Sequence, residues 1–166
     1  RVDEWMMSHL TEFADKQFQS ITRGDLDLGD LDDEETKKAQ EESEKEMAGL
    51  VERIKTALGD DVKEVRFTHR LTDSPACVVS DDNDMSSQMQ KLMESVGQAA
   101  PEAKPVFELN PEHQLVKHLN DEQDEDKFAQ WSHVLLDQAL LAERGTLKDP
   151  TGFVTRLNKL MLELSK

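Results

Sequence analysis

Between residues 128 and 164 lie two helical patterns carrying more apolar surface than a short domain easily hides, and this pair constrains the fold more than anything else in the chain. Residues 128–143 hold Phe128, Trp131, Val134, Leu135, Leu136, Ala139, Leu140, Leu141 and Ala142. Leu135, Ala139 and Ala142 fall on one side of a helix, Leu136 and Leu140 on another. A helix that is apolar nearly all round has to be covered from two directions. Gly145 ends it, and Asp149-Pro150 supplies a cap and a first-turn proline for the next helix. Phe153, Leu157, Leu160, Met161 and Leu164 form the stripe of that second helix. From Phe128 onward Asp137, Glu143, Asp149 and Glu163 stand against Arg144, Lys148, Arg156, Lys159 and Lys166, a balance of about +1, so the remainder of a chain of net charge -16 holds about -17. Two copies meeting through their acidic parts would repel, whereas this near-neutral apolar end allows contact. The pattern therefore favours a homodimer closed by a four-helix bundle over a monomeric helical hairpin. Its contact residues are Trp131, Leu135, Leu136, Leu140, Phe153, Leu157, Leu160, Met161 and Leu164.

The same charge excludes whole classes of partner. With 20 Lys+Arg against 36 Asp+Glu, the chain is a poor ligand for nucleic acid, where binding depends on cations displacing counterions, and for an anionic membrane surface. No apolar run approaches the roughly 20 residues of a membrane span, and no signal-peptide pattern opens the chain. One cysteine in 166 residues excludes an internal disulfide framework and suits a reducing compartment. The first residue is Arg1. The expectation is a cytoplasmic, acidic piece of a longer protein.

Ahead of the helix pair the patterns are mixed. Residues 1–13 read as a short helix (Trp5, Met6, Leu10 and Phe13) and residues 17–22 as a short strand, both looking like the end of a preceding domain that covers residues 1–24. Residues 25–35 hold Asp25, Asp27, Asp30, Asp32, Asp33, Glu34 and Glu35 without a cation and read as a linker. A dimerisation domain follows over residues 36–166. A helix over residues 33–58, beginning at the end of the linker, carries Met47, Leu50, Val51, Ile54 and Leu58, with Gly59 as its stop. Strands are expected at 62–69, 76–80 and 105–109, the first two joined by turn chemistry at 70–75, and a short helix at 113–119. A second acidic cluster, 121–126, leads into the final pair. The whole predicts an α+β fold with a small, mostly antiparallel three-stranded sheet packed with helices.

Residues 84–96 form a sharply divided amphipathic pattern: Met85, Met89, Leu92, Met93 and Val96 share one face, and Ser86, Ser87, Gln88, Gln90, Lys91, Glu94 and Ser95 cover the rest. The face either packs on the sheet or serves as an adaptable binding surface, for which flexible, polarizable methionine is suited. Chemistry is otherwise missing. The sequence has no glycine-rich phosphate loop, GxSxG elbow or HExxH pair. Asp25-Leu26-Asp27-Leu28-Gly29 lacks the acid at the fifth position and the glycine at the sixth of a calcium loop. His9, His69, His113, His118 and His133 are scattered without ligand spacing, and Cys77 inside an apolar run reads as an inert small hydrophobe. His69 and Cys77 face each other if 70–75 closes a hairpin, with no third group to orient them. No catalytic, cofactor or metal residues are expected.

Four ordered blocks resemble one family. Arg1-Val2-Asp3-Glu4-Trp5-Met6-Met7 with Leu10-Thr11-Glu12-Phe13 is similar to the end of the middle domain of the Hsp90 chaperones, and Arg70-Leu71-Thr72-Asp73-Ser74-Pro75-Ala76 to their C-terminal-domain hairpin. Phe107-Glu108-Leu109-Asn110-Pro111-Glu112-His113 resembles their EINPDH segment. Gln138-Ala139-Leu140-Leu141 and Leu147-Lys148-Asp149-Pro150 resemble their dimerisation helices, the bacterial members being the nearest. The resemblance implies a C-terminal part of an ATP-dependent chaperone that assists folding under stress. It implies a homodimer through the last two helices and contacts with partly unfolded clients through Met85, Met89, Leu92, Met93 and Val96, with Trp5 and Ser8 near the same cleft. It implies ATP and magnesium sites only in domains of the full-length members, and the Hsp70 system as a partner of that full-length protein. The chain ends Leu162-Glu163-Leu164-Ser165-Lys166, unlike the Met-Glu-Glu-Val-Asp tail of eukaryotic members, so recruitment of tetratricopeptide co-chaperones is not implied. The competing reading is a purely structural dimeriser whose methionine stripe is core.

Overall fold

The structure, a computed structural model, describes residues 10, 12–14, 16–18, 45, 47–79 and 104–164. Two short antiparallel strands come first, β1 (Glu12–Phe13) and β2 (Lys16–Gln17), closed by a turn in which Ala14 takes a φ of 51°. The end of the helix expected over residues 1–13 is thus a strand. Helical spacing of Leu10 and Phe13 is outweighed locally by pairing of Phe13 with Lys16, and an alanine in the left-handed region gives little sign of a turn beforehand. Residues 19–22 of the expected strand, the linker 25–35 and the amphipathic stretch 84–96 lie outside the described residues.

Helix α1 (Ala48–Leu58) forms because apolar side chains recur at helical spacing: Met47, Leu50, Ile54 and Leu58 are buried and Val51 is half-buried. It stops at Gly59, whose φ of 52° and ψ of -116° suit a residue without Cβ, and one 3-10 turn (Gly59–Asp61) follows. Lys55 Nζ closes this end by donating to the carbonyls of Gly59 (2.9 Å) and Val62 (2.5 Å).

The main sheet contains β3 (Glu64–Phe67), β4 (Ala76–Val79) and β5 (Val106–Leu109) in the order β3-β5-β4. It is mixed: β5 runs parallel to β3 and antiparallel to β4. The α+β class holds, but 70–75 does not close a hairpin, because the central place between β3 and β4 belongs to β5. Nor does His69 face Cys77; Cys77 stands opposite Glu108. β5 is the natural centre because all four of its residues are buried, whereas Glu64 on β3 is exposed. The register lines Val65, Phe107 and Val78 in one row and Phe67, Leu109 and Ala76 in the next, all facing the core. The opposite face carries Arg66, Glu108 and Cys77.

Asn110 locks the 70–75 loop to the end of β5. Its Nδ2 donates to the carbonyls of Leu71 (3.1 Å) and Ser74 (3.3 Å), and its Oδ1 accepts from the Glu112 amide (3.0 Å). Three helices follow: α2 (Gln114–Asp121), α3 (Glu125–Arg144) and α4 (Pro150–Leu164). His113 caps α2 by accepting from the Leu115 amide at 3.1 Å. The acidic run 121–126 has a structural use: Asp124 Oδ1 accepts from the amides of Asp126 (3.0 Å) and Lys127 (3.1 Å), and Glu125 and Asp126 place negative charge in the first turn of α3. Gly145 ends α3 with a φ of 73°, and Asp149 caps α4 by accepting from the Gly152 amide at 2.8 Å.

α3 is covered from inside the chain. It packs against β4, α1 and α4, and Phe128, Val134, Leu135, Leu136 and Ala139 are buried there. Each large apolar side chain removed from water in this core contributes about 1.5–3 kcal/mol. Arg53 of α1 adds a clamp, its guanidinium 3.8 Å above the Phe128 ring and 2.8 Å from Glu125.

Candidate dimerisation and client-contact surfaces

α4 buries only part of its apolar arc. Leu160 is turned inward and is 2% exposed, and Phe153 and Leu157 are half-buried. On the outer side Val154 (51%), Met161 (59%) and Leu162 (66%) stand in solvent, joined on α3 by Leu141 (42%). Val154 and Met161 are seven residues apart, two turns along one line of the helix. Arg156 anchors the inner edge through Asp137 of α3 at 2.6 Å, and Lys127 reaches Glu163 at 3.6 Å. The apolar surface of the last two helices is therefore held in place by the fold while one side of it stays open.

The residues expected in the dimer contact fall into three groups. Leu135 and Leu136 of α3 and Leu160 of α4 are buried by their own chain, so most of the apolar surface of α3 is covered without a second copy and Leu141 is left open. Trp131, Leu140, Phe153 and Leu157 are half-buried: Trp131 and Leu140 lean on the core, and the Trp131 ring meets His118 edge-on with centroids 6.1 Å apart. Met161 is open, and Leu164 closes α4. Val154, Leu162 and Leu141 were not among the expected contacts. Their signal was present: Val154 lies three residues before Leu157 and seven before Met161, widening the stripe beyond what one neighbouring helix covers. The client-contact residues Trp5, Ser8, Met85, Met89, Leu92, Met93 and Val96 lie outside the described residues.

A second constellation, unforeseen from the sequence, sits on the far face of the sheet. Glu108 is 2% exposed, and two guanidinium groups converge on its carboxyl. Arg66 donates to Oε1 from Nε (3.0 Å) and Nη2 (2.7 Å), and Arg70 donates to Oε2. Cys77 Sγ lies 3.5 Å from Oε2 and 3.8 Å from Arg70 Nη2. Burial, with the Glu108 charge adding to it, pushes the Cys77 thiol up to about 11 against the pull of Arg70. A thiol held protonated in this way donates a weak hydrogen bond and is a poor nucleophile. An acid inside the otherwise apolar Val106–Leu109 strand was the legible sign of the cluster.

Beside the α3–α4 connection lies a groove of about 620 Å³. Two ion pairs cross it, Lys104 with Asp60 (2.7 Å) and Arg156 with Asp137 (2.6 Å), and His133 Nδ1 lies 3.9 Å from Asp61. Lys104 holds the exposed Asp60 carboxyl below the usual carboxylate range, first by its hydrogen bond and then by its charge. Among the described residues no group of three or more His, Cys, Asp or Glu is placed to hold a metal ion, and no helix is long and apolar enough to cross a membrane.

Comparison with known proteins adds the family. A family model described as Hsp90 protein matches residues 1–165. The chain is 98% identical over all 166 residues to the Chaperone protein HtpG of Pseudoalteromonas translucida, covering 26% of that protein. It is 66% identical over 166 residues to the protein of the same name from Colwellia psychrerythraea, covering 25% of it. With that of Psychromonas ingrahamii it shares 60% identity over 162 residues, 26% of that relative. The chain thus spans about a quarter of the length of the curated relatives it matches.

Proposed function

Because the chain belongs to the Hsp90 protein family, we propose that it is the homodimerising and client-contacting part of an ATP-dependent molecular chaperone. In this reading residues 36–166 are the dimerisation domain, residues 1–24 belong to the domain before it, and the acidic stretch 25–35 joins the two. α3 and α4 pair with the same helices of a second copy as a four-helix bundle. Nucleotide chemistry belongs to other parts of the whole protein, and so does any link to the Hsp70 system.

The observation that carries the dimer is the open apolar side of α4: Val154, Met161 and Leu162, extended by Leu141. Exposed large apolar side chains grouped on two adjoining helices mark a surface normally covered by a partner. The near-neutral charge of residues 128–166 lets two strongly acidic chains approach there. Introducing charge at Val154 and Met161 together (Val154→Lys, Met161→Lys) tests it. The expected result is a folded monomer, since neither side chain is buried in its own chain; a dimer that survives refutes the surface.

Client contact rests on the amphipathic sequence of Met85, Met89, Leu92, Met93 and Val96, with Trp5 and Ser8, and on the chaperone names of the relatives. A methionine-rich face accepts differently shaped apolar segments without demanding one geometry. Light scattering of a heat-destabilised client, with and without the chain, measures it. Met89→Ser with Leu92→Ser is expected to abolish protection while leaving the dimer and helical content intact. Unfolding of that variant would make the stripe core and leave only a structural dimeriser.

A further inference from the structure

Taking the buried Leu160 as origin, Met161, Val154, Asn158 and Leu162 fall at about 100°, 120°, 160° and 200° around α4. All four are exposed. Between residues 150 and 163 only one exposed position of α4 is charged, Lys159, and it lies off this arc at about 260°. In a chain in which 34% of residues are charged, an exposed arc free of charge has the composition of an interface centre. Its one amide is Asn158. Thr155 is satisfied within the helix, its hydroxyl donating to the Thr151 carbonyl at 2.9 Å, whereas the Asn158 amide has no hydrogen-bond partner among the described residues.

A twofold contact matches a patch with itself. Val154 and Leu162 bound the exposed apolar arc, and Asn158 lies midway between them, four residues from each and at the centre of their angles. With the two α4 helices antiparallel, Val154 meets Leu162 of the other copy and Asn158 meets its own copy. With the helices parallel, each residue on the arc meets its own copy. Both geometries bring Asn158 against itself, while its neighbour Leu157 is half-buried on the inner side. An amide carries both donors and an acceptor, so two facing asparagines satisfy each other.

We propose that Asn158 is the self-pairing residue at the twofold axis of the dimer, where its amide hydrogen-bonds to the same amide of the second copy and fixes the register of the two α4 helices. The inference rests on the dimer reading above and names the contact at its centre. A single polar residue in an apolar helical seam is a known way to specify register at some cost in stability.

Engineered disulfides test it. In a Cys77→Ser background, Asn158→Cys is expected to oxidise readily to a covalent dimer, since a disulfide requires Cα atoms about 4.4–6.8 Å apart. Thr155→Cys and Lys159→Cys are expected to stay uncrosslinked. Asn158→Asp, with unchanged helical content, is expected to raise the dimer dissociation constant about tenfold or more by setting like charges face to face. Sedimentation of the reduced variants separates the possible failures. A dimer that crosslinks only through Thr155→Cys or Lys159→Cys, or through none, overturns the role of Asn158 and leaves the dimer standing. A monomer overturns both.

Discussion

Replacing Glu108 with glutamine removes the one buried carboxylate among the described residues and leaves its shape almost unchanged. Both carboxylate oxygens are in use, Oε1 by Arg66 and Oε2 by Arg70. In the amide one of them becomes NH2, so a donor is turned toward a guanidinium donor. Breaking a buried ion pair from one side costs about 3–5 kcal/mol. Here the arginine side chains keep 25% and 19% of their surface in water, so part of the lost interaction returns as hydration, and about 2–3 kcal/mol is expected. For a chain of this size that is a fall in melting temperature of roughly 4–12 °C. Urea and thermal unfolding followed by circular dichroism read it directly. Glu125→Gln serves as the control, because it breaks a pair whose acid is 75% exposed and should cost under about 1 kcal/mol. A Glu108→Gln loss below about 0.5 kcal/mol, or one no greater than that of Glu125→Gln, would refute the view that this triad holds the outer face of the sheet together.

Asn110→Ala removes three hydrogen bonds from a buried side chain and releases the 70–75 loop; a loss of about 2–3 kcal/mol is expected in urea unfolding, with faster amide exchange at residues 71–75. Cys77 should be slow toward iodoacetamide: a thiol raised to about 11 has about a hundredfold less thiolate at pH 8 than an ordinary one, partly offset by its greater nucleophilicity, leaving a rate about tenfold lower. The same shift sets the sign of its pH dependence. Because the folded value is the higher one, the Cys77 contribution to stability is complete below the unfolded value near 9 and is lost as pH rises toward about 11. Cys77→Ala should therefore flatten the alkaline limb of the stability profile, and an unchanged limb would count against this assignment.

The helices were the most legible elements. α3 and α4 announce themselves through Gly145 and Asp149-Pro150, and α1 through the recurrence of Leu50, Ile54 and Leu58, whereas the start of α3 at Glu125 lies three residues before the expected 128. The strands were visible as apolar runs, but their order was not. β5 enters between β3 and β4 because its residues are buried on both faces, and a run such as Val106–Leu109 does not state which neighbours it takes or in which direction. The β1–β2 turn was hidden for a different reason, since Ala14 at positive φ carries none of the usual turn chemistry. In the candidate surface, periodicity grouped Phe153, Leu157, Leu160 and Met161 on one stripe but could not divide it. Only packing shows that Leu160 is spent on the chain's own core while Met161 and Val154 are left open.

Closure of the open side of α4 by a second copy is read by sedimentation equilibrium over a wide concentration range. The expected mass is about twice 18.9 kDa, reduced to the single-chain value by Val154→Lys with Met161→Lys while the circular dichroism spectrum is kept. A folded species that stays at 18.9 kDa up to the highest concentration would contradict it.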